Sequence, residues 1–313
     1  MGFEYPLRLV QYQNEFGQGL YGDAVAYENT SWGPAFDNKF HYWGNEIDNT
    51  LRIKSYQGLK KNVREFFTTG RNYNNSLSVS SGNEQMTYYL SYSNIMQDGI
   101  FPTSSDSYSR HTLSLRSTVK LSKRLATSIS VNYVKKINRF VPTGQGEQSV
   151  YNQVMQTPRD ISLLELEDID SQWNNLDNYY SLYTVNPYFL LKKNGNRNNE
   201  DRVYGNFDVD YSITKHLTAK FRLGADLSHE QAKLWRAIIE PKGNNEFASI
   251  YEPGVVNEST QSIRQINTDI LLTYSRKFRE FSVDLLAGHN LNERSSNSLY
   301  AAVSNLTIPD FCL

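Results

Sequence analysis

The sequence predicts an all-β fold, an antiparallel up-and-down sheet of the transmembrane β-barrel kind with about eight strands. Three observations predict it: apolar and polar residues alternate with period two, tight turns take turns with long connections, and the composition disfavours helices. The chain carries 22 Tyr and 15 Phe against 4 Met, and rings with many Asn and Ser suit strands and polar loops. Such a wealth of rings excludes a disordered chain, which would be aromatic-poor. The formal net charge of −1 offers no basic surface for nucleic acid.

The alternation is clearest where Leu217, Ala219, Phe221, Leu223, Ala225 and Leu227 interleave with Lys220, Arg222 and Asp226. Phe207, Val209, Tyr211 and Ile213 alternate with Asn206, Asp208, Asp210 and Ser212. Leu125, Ile129, Val131 and Tyr133 oppose Ser128, Ser130 and Asn132, and Leu113, Leu115, Val119 and Leu121 oppose Ser114, Arg116, Thr118 and Lys120. Phe281, Val283 and Leu285 repeat the pattern until Leu286 interrupts it. Only a strand puts each set on one face; a helix would scatter it.

Short connections predict hairpins at Gly82–Gln85, Ser122–Arg124, Thr214–His216 and Lys277–Glu280. Between the hairpins, long loops are expected over 97–107, 139–200 and 237–262. In an antiparallel sheet all tight turns then fall at one end and all long loops at the other, which is how outer-membrane barrels are built. Several alternating runs reach about ten residues, the length a tilted strand needs to cross a bilayer. Tyr133, Tyr211, Tyr274, Phe278 and Phe281 lie near strand ends, where such a barrel carries its aromatic girdle. The chain has no apolar run long enough for a membrane helix, and Met1–Pro6 does not open like a signal peptide.

Chemical motifs give little. Gly17, Gly19 and Gly22 spell G-x-G-x-x-G, but no apolar strand precedes them and Trp32-Gly33-Pro34 follows soon, so a flexible loop is expected rather than a dinucleotide site. Histidines 41, 111, 216, 229 and 289 are scattered, and Cys312 is the single cysteine, so no cofactor, metal cage or internal disulfide is expected. Asp208 and Asp210 share a strand face, yet with Lys220, Arg222 and Asp226 they read as charges lining a wet interior, not as a catalytic pair. In this reading Arg222→Ala is mild. The 139–200 loop offers more: after the acidic run Leu163–Asp170 come Trp173, Tyr179, Tyr180 and Tyr183, expected to meet a substrate or a partner, since loops carry binding.

The chain resembles the SusC/RagA-type TonB-linked outer-membrane transporters of Bacteroidetes. The resemblance rests on Phe66-Phe67-Thr-Thr-Gly70 followed by Asn74–Glu84, on Tyr89–Asn94 with Asp98–Pro102, on Asn186-Pro187-Tyr188, on Asn206–Tyr211 with Leu217–Gly224, and on Ser31-Trp32-Gly33-Pro34. It implies a barrel of about 22 strands, closed by a plug, energised through TonB and capped by a SusD-like surface lipoprotein, importing oligosaccharides or peptides across the cell outer membrane. On that plan 1–73 begins the barrel region after a plug, 74–294 supplies four hairpins, and 295–313 is a loop or strand end. Without plug, TonB box or terminal strand, such a segment is not expected to transport alone. Two other classes stay open: a β-rich outer-membrane hydrolase, and a β-structured adhesion or binding protein.

Overall fold

The computed structural model describes residues 12–25, 28–243 and 249–308. Cys312 and the Met1–Pro6 opening lie outside the described residues. Eight strands form one antiparallel sheet in strict sequence order: β3 (Arg71–Gly82), β4 (Met86–Asp98), β5 (Ser107–Lys120), β6 (Leu125–Phe140), β7 (Gly195–Ser212), β8 (Leu217–Ile239), β9 (Glu252–Phe278) and β10 (Phe281–Ser304). A separate hairpin, β1 (Phe40–Ile47) with β2 (Thr50–Ser55), precedes them, and three short helices, α1 (Asn62–Phe66), α2 (Val150–Gln156) and α3 (Pro187–Lys193), lie outside the sheet.

Three of the four tight turns share one device, a side-chain oxygen standing in for a backbone acceptor. Asn83 Oδ1 accepts from the Gln85 and Met86 amides, Ser122 Oγ from Arg124 and Leu125, and Thr214 Oγ1 from His216 and Leu217. The fourth turn places Arg279 at φ +49°. Each later hairpin also reaches past the one before it: Leu125 pairs with Tyr211, and Leu217 pairs with Tyr274 while β9 runs on to Phe278. A one-way stagger of this kind is what strand tilt in a barrel requires.

The register keeps one face apolar through the sheet's centre. Leu115 lies opposite Leu90 and Val131, Phe207 opposite Ile129 and Leu223, and Phe221 opposite Val209 and Ile270. These side chains cover nothing within the sheet, and Leu115, Phe207, Phe221 and Ile270 are all exposed. The opposite face carries Ser, Asn, Asp, Lys and Arg.

The buried core lies elsewhere. Residues 141–194 fold with α1 and the ends of β8 and β9 into a loop body whose core includes Phe66, Val150, Val154, Leu163, Leu166 and Tyr188. Ser149 caps α2 by accepting from Asn152, and Asn186 caps α3 by accepting from Tyr188, with Pro187 entering the first turn. Asn62, 4 % exposed, bridges α1 to the loop, donating to the Ile161 carbonyl at 2.6 Å and accepting from the Leu163 amide at 2.8 Å. Arg159 ties the same loop to the Gln13 and Leu59 carbonyls and to Asn14.

Several expected boundaries move. The 237–262 loop shrinks to 240–251, because β8 runs to Ile239 and β9 starts at Glu252. The 139–200 loop becomes 141–194, and 97–107 becomes 99–106. Region 295–313, expected as a loop or strand end, is strand as far as Ser304, and 1–73 holds a hairpin and a helix. Some of the misread stretches are polar on both faces, as in Asn257-Glu258-Ser259 and Asn196–Glu200, so they carry no period-two signal.

A charged wall beneath a loop body as candidate functional site

Two parts of the molecule present chemistry: the polar face of the sheet, and the loop body beyond its long-loop end. On the polar face, cations and carboxylates meet across neighbouring strands. Arg222 on β8 donates through Nε to Asp208 Oδ1 on β7 at 2.7 Å, and Lys220 faces Asp210 at 3.4 Å. Arg202 grips Asp226 with two bonds, Nε to Oδ1 at 2.8 Å and Nη2 to Oδ2 at 2.5 Å, and Lys136 pairs with Glu200. Bidentate guanidinium–carboxylate pairs are the geometrically strict ones. Asn290 on β10 extends the network to β9, donating to Asp269 at 2.6 Å and to Asn267 at 2.9 Å. Asp208 and Asp210 thus share a face, as the sequence indicates, but each already holds its own cation. Above these pairs a hollow of about 240 Å³ opens between Arg202, Asp226, Glu230, Gln265 and Arg294.

The loop body contains a larger recess of about 700 Å³ between β2, α1 and residues 160–165, bordered by Trp43, Arg52, Lys54, Glu65, Asp160 and Glu165. The cross-strand pair Trp43–Arg52 builds one wall. The Arg52 guanidinium lies 3.7 Å over the Trp43 ring and 5.1 Å from the Trp173 ring, and Nη1 donates to Asn174 at 3.3 Å. Such stacking is attractive by about 0.5–2 kcal/mol. Lys54 donates to the Asp160 carboxylate and, at 3.2 Å, to the Asp160 carbonyl. Burial, and then the charge of Arg52, pushes the Lys54 ammonium down to about 7 although Glu165 pulls the other way. Burial also lowers Arg52 from its usual value.

The four loop residues singled out from the sequence do not share one fate. Trp173 is half-buried beside Arg52, and Tyr183 keeps part of its surface, its amide donating to Ser181 Oγ. Tyr179 is 2 % exposed and belongs to the core, so it has no surface to offer a ligand. Tyr180 packs against it with ring centroids 4.6 Å apart and lies 5.9 Å from Trp43. Burial drives the Tyr179 phenol well up and the Tyr180 phenol to about 12. The recess residues Trp43, Arg52 and Lys54 were not legible in advance, because only the β1–β2 register brings Trp43 over Arg52.

The glycines of the G-x-G-x-x-G stretch pack against the Ser31–Pro34 segment: Gly19 donates to the Thr30 carbonyl, Trp32 to Gly19, and Gly33 to Gly17. Among the described residues no helix opens at those glycines, and no group of three His, Cys, Asp or Glu side chains is placed to hold a metal ion.

No family model matches the chain. It is similar to TonB-dependent receptor P26 of Formosa agariphila, 22 % identical over 202 residues, covering 60 % of this chain and 19 % of that one. Among solved structures, the RagAB peptide importer in its "open-open" state matches 80 % of this chain and 27 % of its own with a TM-score of 0.61 and 18 % identity. The "closed-closed" state gives a TM-score of 0.59 at 18 % identity over 80 % of this chain and 28 % of that one. The chain therefore spans less than a third of the length of these relatives. The likeness is one of fold: in its antiparallel sheet of eight strands in strict sequence order, the chain is similar to a stretch of the RagAB peptide importer structures.

Proposed function

We propose that this chain supplies eight strands of wall, and part of the outward-facing loop surface, of a nutrient importer in the cell outer membrane. The observation that carries the reading is the division of the sheet into an apolar face with nothing packed on it and a face of paired charges. From Leu217 to Leu227 the apolar face of β8 is unbroken, about eleven residues; at about 3.3 Å each and a tilt near 45° this spans roughly 25 Å, the height of a barrel's lipid-facing band. The charged face is then turned to a wet interior, where charge costs little.

The substrate in this reading is an oligosaccharide or a peptide, and a SusD-like lipoprotein sits over the loop body, with Trp173, Tyr180 and Tyr183 among the residues nearest to it. TonB acts through the plug of such a barrel, not through these strands. Relatives that are a receptor and an importer support transport over catalysis, as does the pairing of Asp208 with Arg222.

The test is made in cells carrying the native gene with loop 141–194 altered at Trp173→Ala and Tyr183→Ala. Uptake of labelled oligosaccharides and of labelled peptides is compared, and copurified lipoproteins are identified. Reduced uptake of one class together with weaker lipoprotein capture is the expected result. Unchanged uptake of both classes, with no lipoprotein captured by the unaltered protein, would overturn the proposal. Folding in water as a monomer without detergent would favour an adhesion module, and hydrolysis abolished by Asp208→Asn an enzyme.

A further inference from the structure

On the sheet's interior face four cations are matched: Lys136, Arg202, Lys220 and Arg222 each have a carboxylate on a neighbouring strand. At three of the four tight turns the pattern reverses, the fourth, Gly82–Gln85, carrying Glu84 and no cation. Lys123 and Arg124 in the β5–β6 turn, Lys215 in the β7–β8 turn, and Arg276, Lys277 and Arg279 around the β9–β10 turn are all exposed. None of the six makes an ion pair among the described residues, and the one carboxylate in these three turns is Glu280.

The height of this cluster is fixed by the register. The Ser212 amide donates to the Arg124 carbonyl and the Ser275 amide to the His216 carbonyl, both at 2.8 Å, so each turn is held against the strand that follows. The stagger of the hairpins keeps the three turns at one level in a tilted sheet. They begin close to Tyr211, Leu217 and Tyr274 on the apolar face, which Ile213 and Phe278 extend toward the turns. Arg276 is the most telling. It shares the apolar face, lying opposite Val283 and one pleat from Tyr274, with its guanidinium 4.4 Å over the Phe278 ring. A cation on a lipid-facing strand, propped on an aromatic ring and lacking a carboxylate, belongs at the headgroup layer, where a long side chain reaches phosphate while its stem stays in hydrocarbon.

We infer that the three basic turns form a binding rim for the phosphate groups of anionic phospholipids in the leaflet they meet. The inference rests on the membrane reading above and adds a ligand class to it. Arg supplies paired N–H donors to phosphate oxygens and Lys a point charge, and clustered Lys and Arg beside a membrane are each worth about a fivefold gain in partition to an anionic surface.

The test uses the membrane-assembled protein in nanodiscs of phosphatidylcholine with or without phosphatidylglycerol. Bound lipid is counted by native mass spectrometry. The unaltered protein should retain phosphatidylglycerol, and the triple variant Arg276→Gln, Lys277→Gln, Arg279→Gln should lose on the order of a hundredfold in that preference. Arg276→Lys should restore most of its own share, while Lys233→Gln, on the long-loop half of β8, should leave the preference intact. If the triple variant fails to assemble, the pair Lys123→Gln and Lys215→Gln should still weaken retention by roughly twentyfold. Equal retention by all variants overturns the inference while leaving the membrane reading standing; a protein that never enters nanodiscs defeats both. Displacement of lipid by inorganic phosphate at millimolar concentration would mark a free-phosphate site and overturn the lipid assignment.

Discussion

Phe221→Arg offers the sharpest test of which face meets lipid. Phe221 lies four residues along β8 from Leu217, where the apolar face begins, and its cross-strand neighbours are Val209 and Ile270. At about 3.3 Å per residue and a tilt near 45°, four residues place it roughly 9 Å into a band of about 25 Å, within a few Å of the midplane. An arginine there is expected to cost ~2–4 kcal/mol of assembly, a factor of about 30 to 1,000 in the folding equilibrium, whereas the same change at Leu227, by the far edge, should cost ~0–1 kcal/mol. Lys220→Ala, one position away on the other face, removes a half-exposed partner of Asp210 and should cost under about 1 kcal/mol. The assay is urea-dependent unfolding of the protein assembled in vesicles, read by the heat-sensitive shift in electrophoretic mobility of folded barrels. A depth-independent penalty, with Phe221→Arg no worse than Leu227→Arg, would refute the assignment of this face to hydrocarbon.

Other consequences follow from particular contacts. Arg222→Ala, mild on the sequence reading, should instead cost ~1–3 kcal/mol in the same unfolding assay, because Asp208 is 5 % exposed and loses its strongest partner; a loss no larger than that of Lys220→Ala would show that water replaces the guanidinium. Phe66→Ala removes a ring at 1 % exposure that meets Tyr188 edge-on at 5.1 Å, and should destabilise the loop body by ~3–5 kcal/mol; cleavage within 141–194 by an added protease measures it, and unchanged cleavage contradicts it. Lys54 makes that body pH-sensitive. Its folded value of about 7 lies below the ordinary 10.5, so between these limits the unfolded state binds more protons and stability climbs as pH rises. The climb should vanish in Lys54→Gln, and identical cleavage–pH profiles for the two proteins would remove the effect.

How much could be read from the residues varied along single strands. On β8 the stretch from Leu217 to Leu227 was plain, because lipid on one side and water on the other impose opposite demands on successive side chains. Twelve residues further on, at Ile239, the same strand is buried in the loop body, and between them His229, Glu230 and Gln231 show no alternation. The tight turns were legible from the short spacing between alternating runs, and the structure adds the bonds that backbone amides donate to the Asn83, Ser122 and Thr214 oxygens. The loop body was not. Its aromatics looked like a binding surface, and Tyr179 turned inward because residues 141–194 had to find their own core; nothing in a local pattern tells a ring that grips a ligand from a ring that fills a core. The recess residues were hidden for another reason: Arg52 acquires its meaning only from Trp43 across a hairpin and from Trp173 more than a hundred positions away.

The lengths of the strands connect these parts. β3 has 12 residues and β9 has 27, yet a bilayer needs only about 9–11 from each. In the proposed membrane placement the surplus in β7 to β10 rises beyond the lipid, beside the stretch of chain that fills the loop body. Ile239 at the top of β8 and Ile250 just before β9 are buried there at 0 % and 3 % exposure, and the Asn194 side chain accepts from the Ala237 amide at 2.8 Å. In that placement the tall strands would hold the loop body, with its recess and Trp173, outside the membrane. A binding surface of the proposed kind is more precisely placed on strands than on a free loop of some fifty residues. On the membrane reading the surplus strand is part of the functional surface, and polar runs such as His229-Glu230-Gln231 and Asn257-Glu258-Ser259 fit a place where both faces are wet.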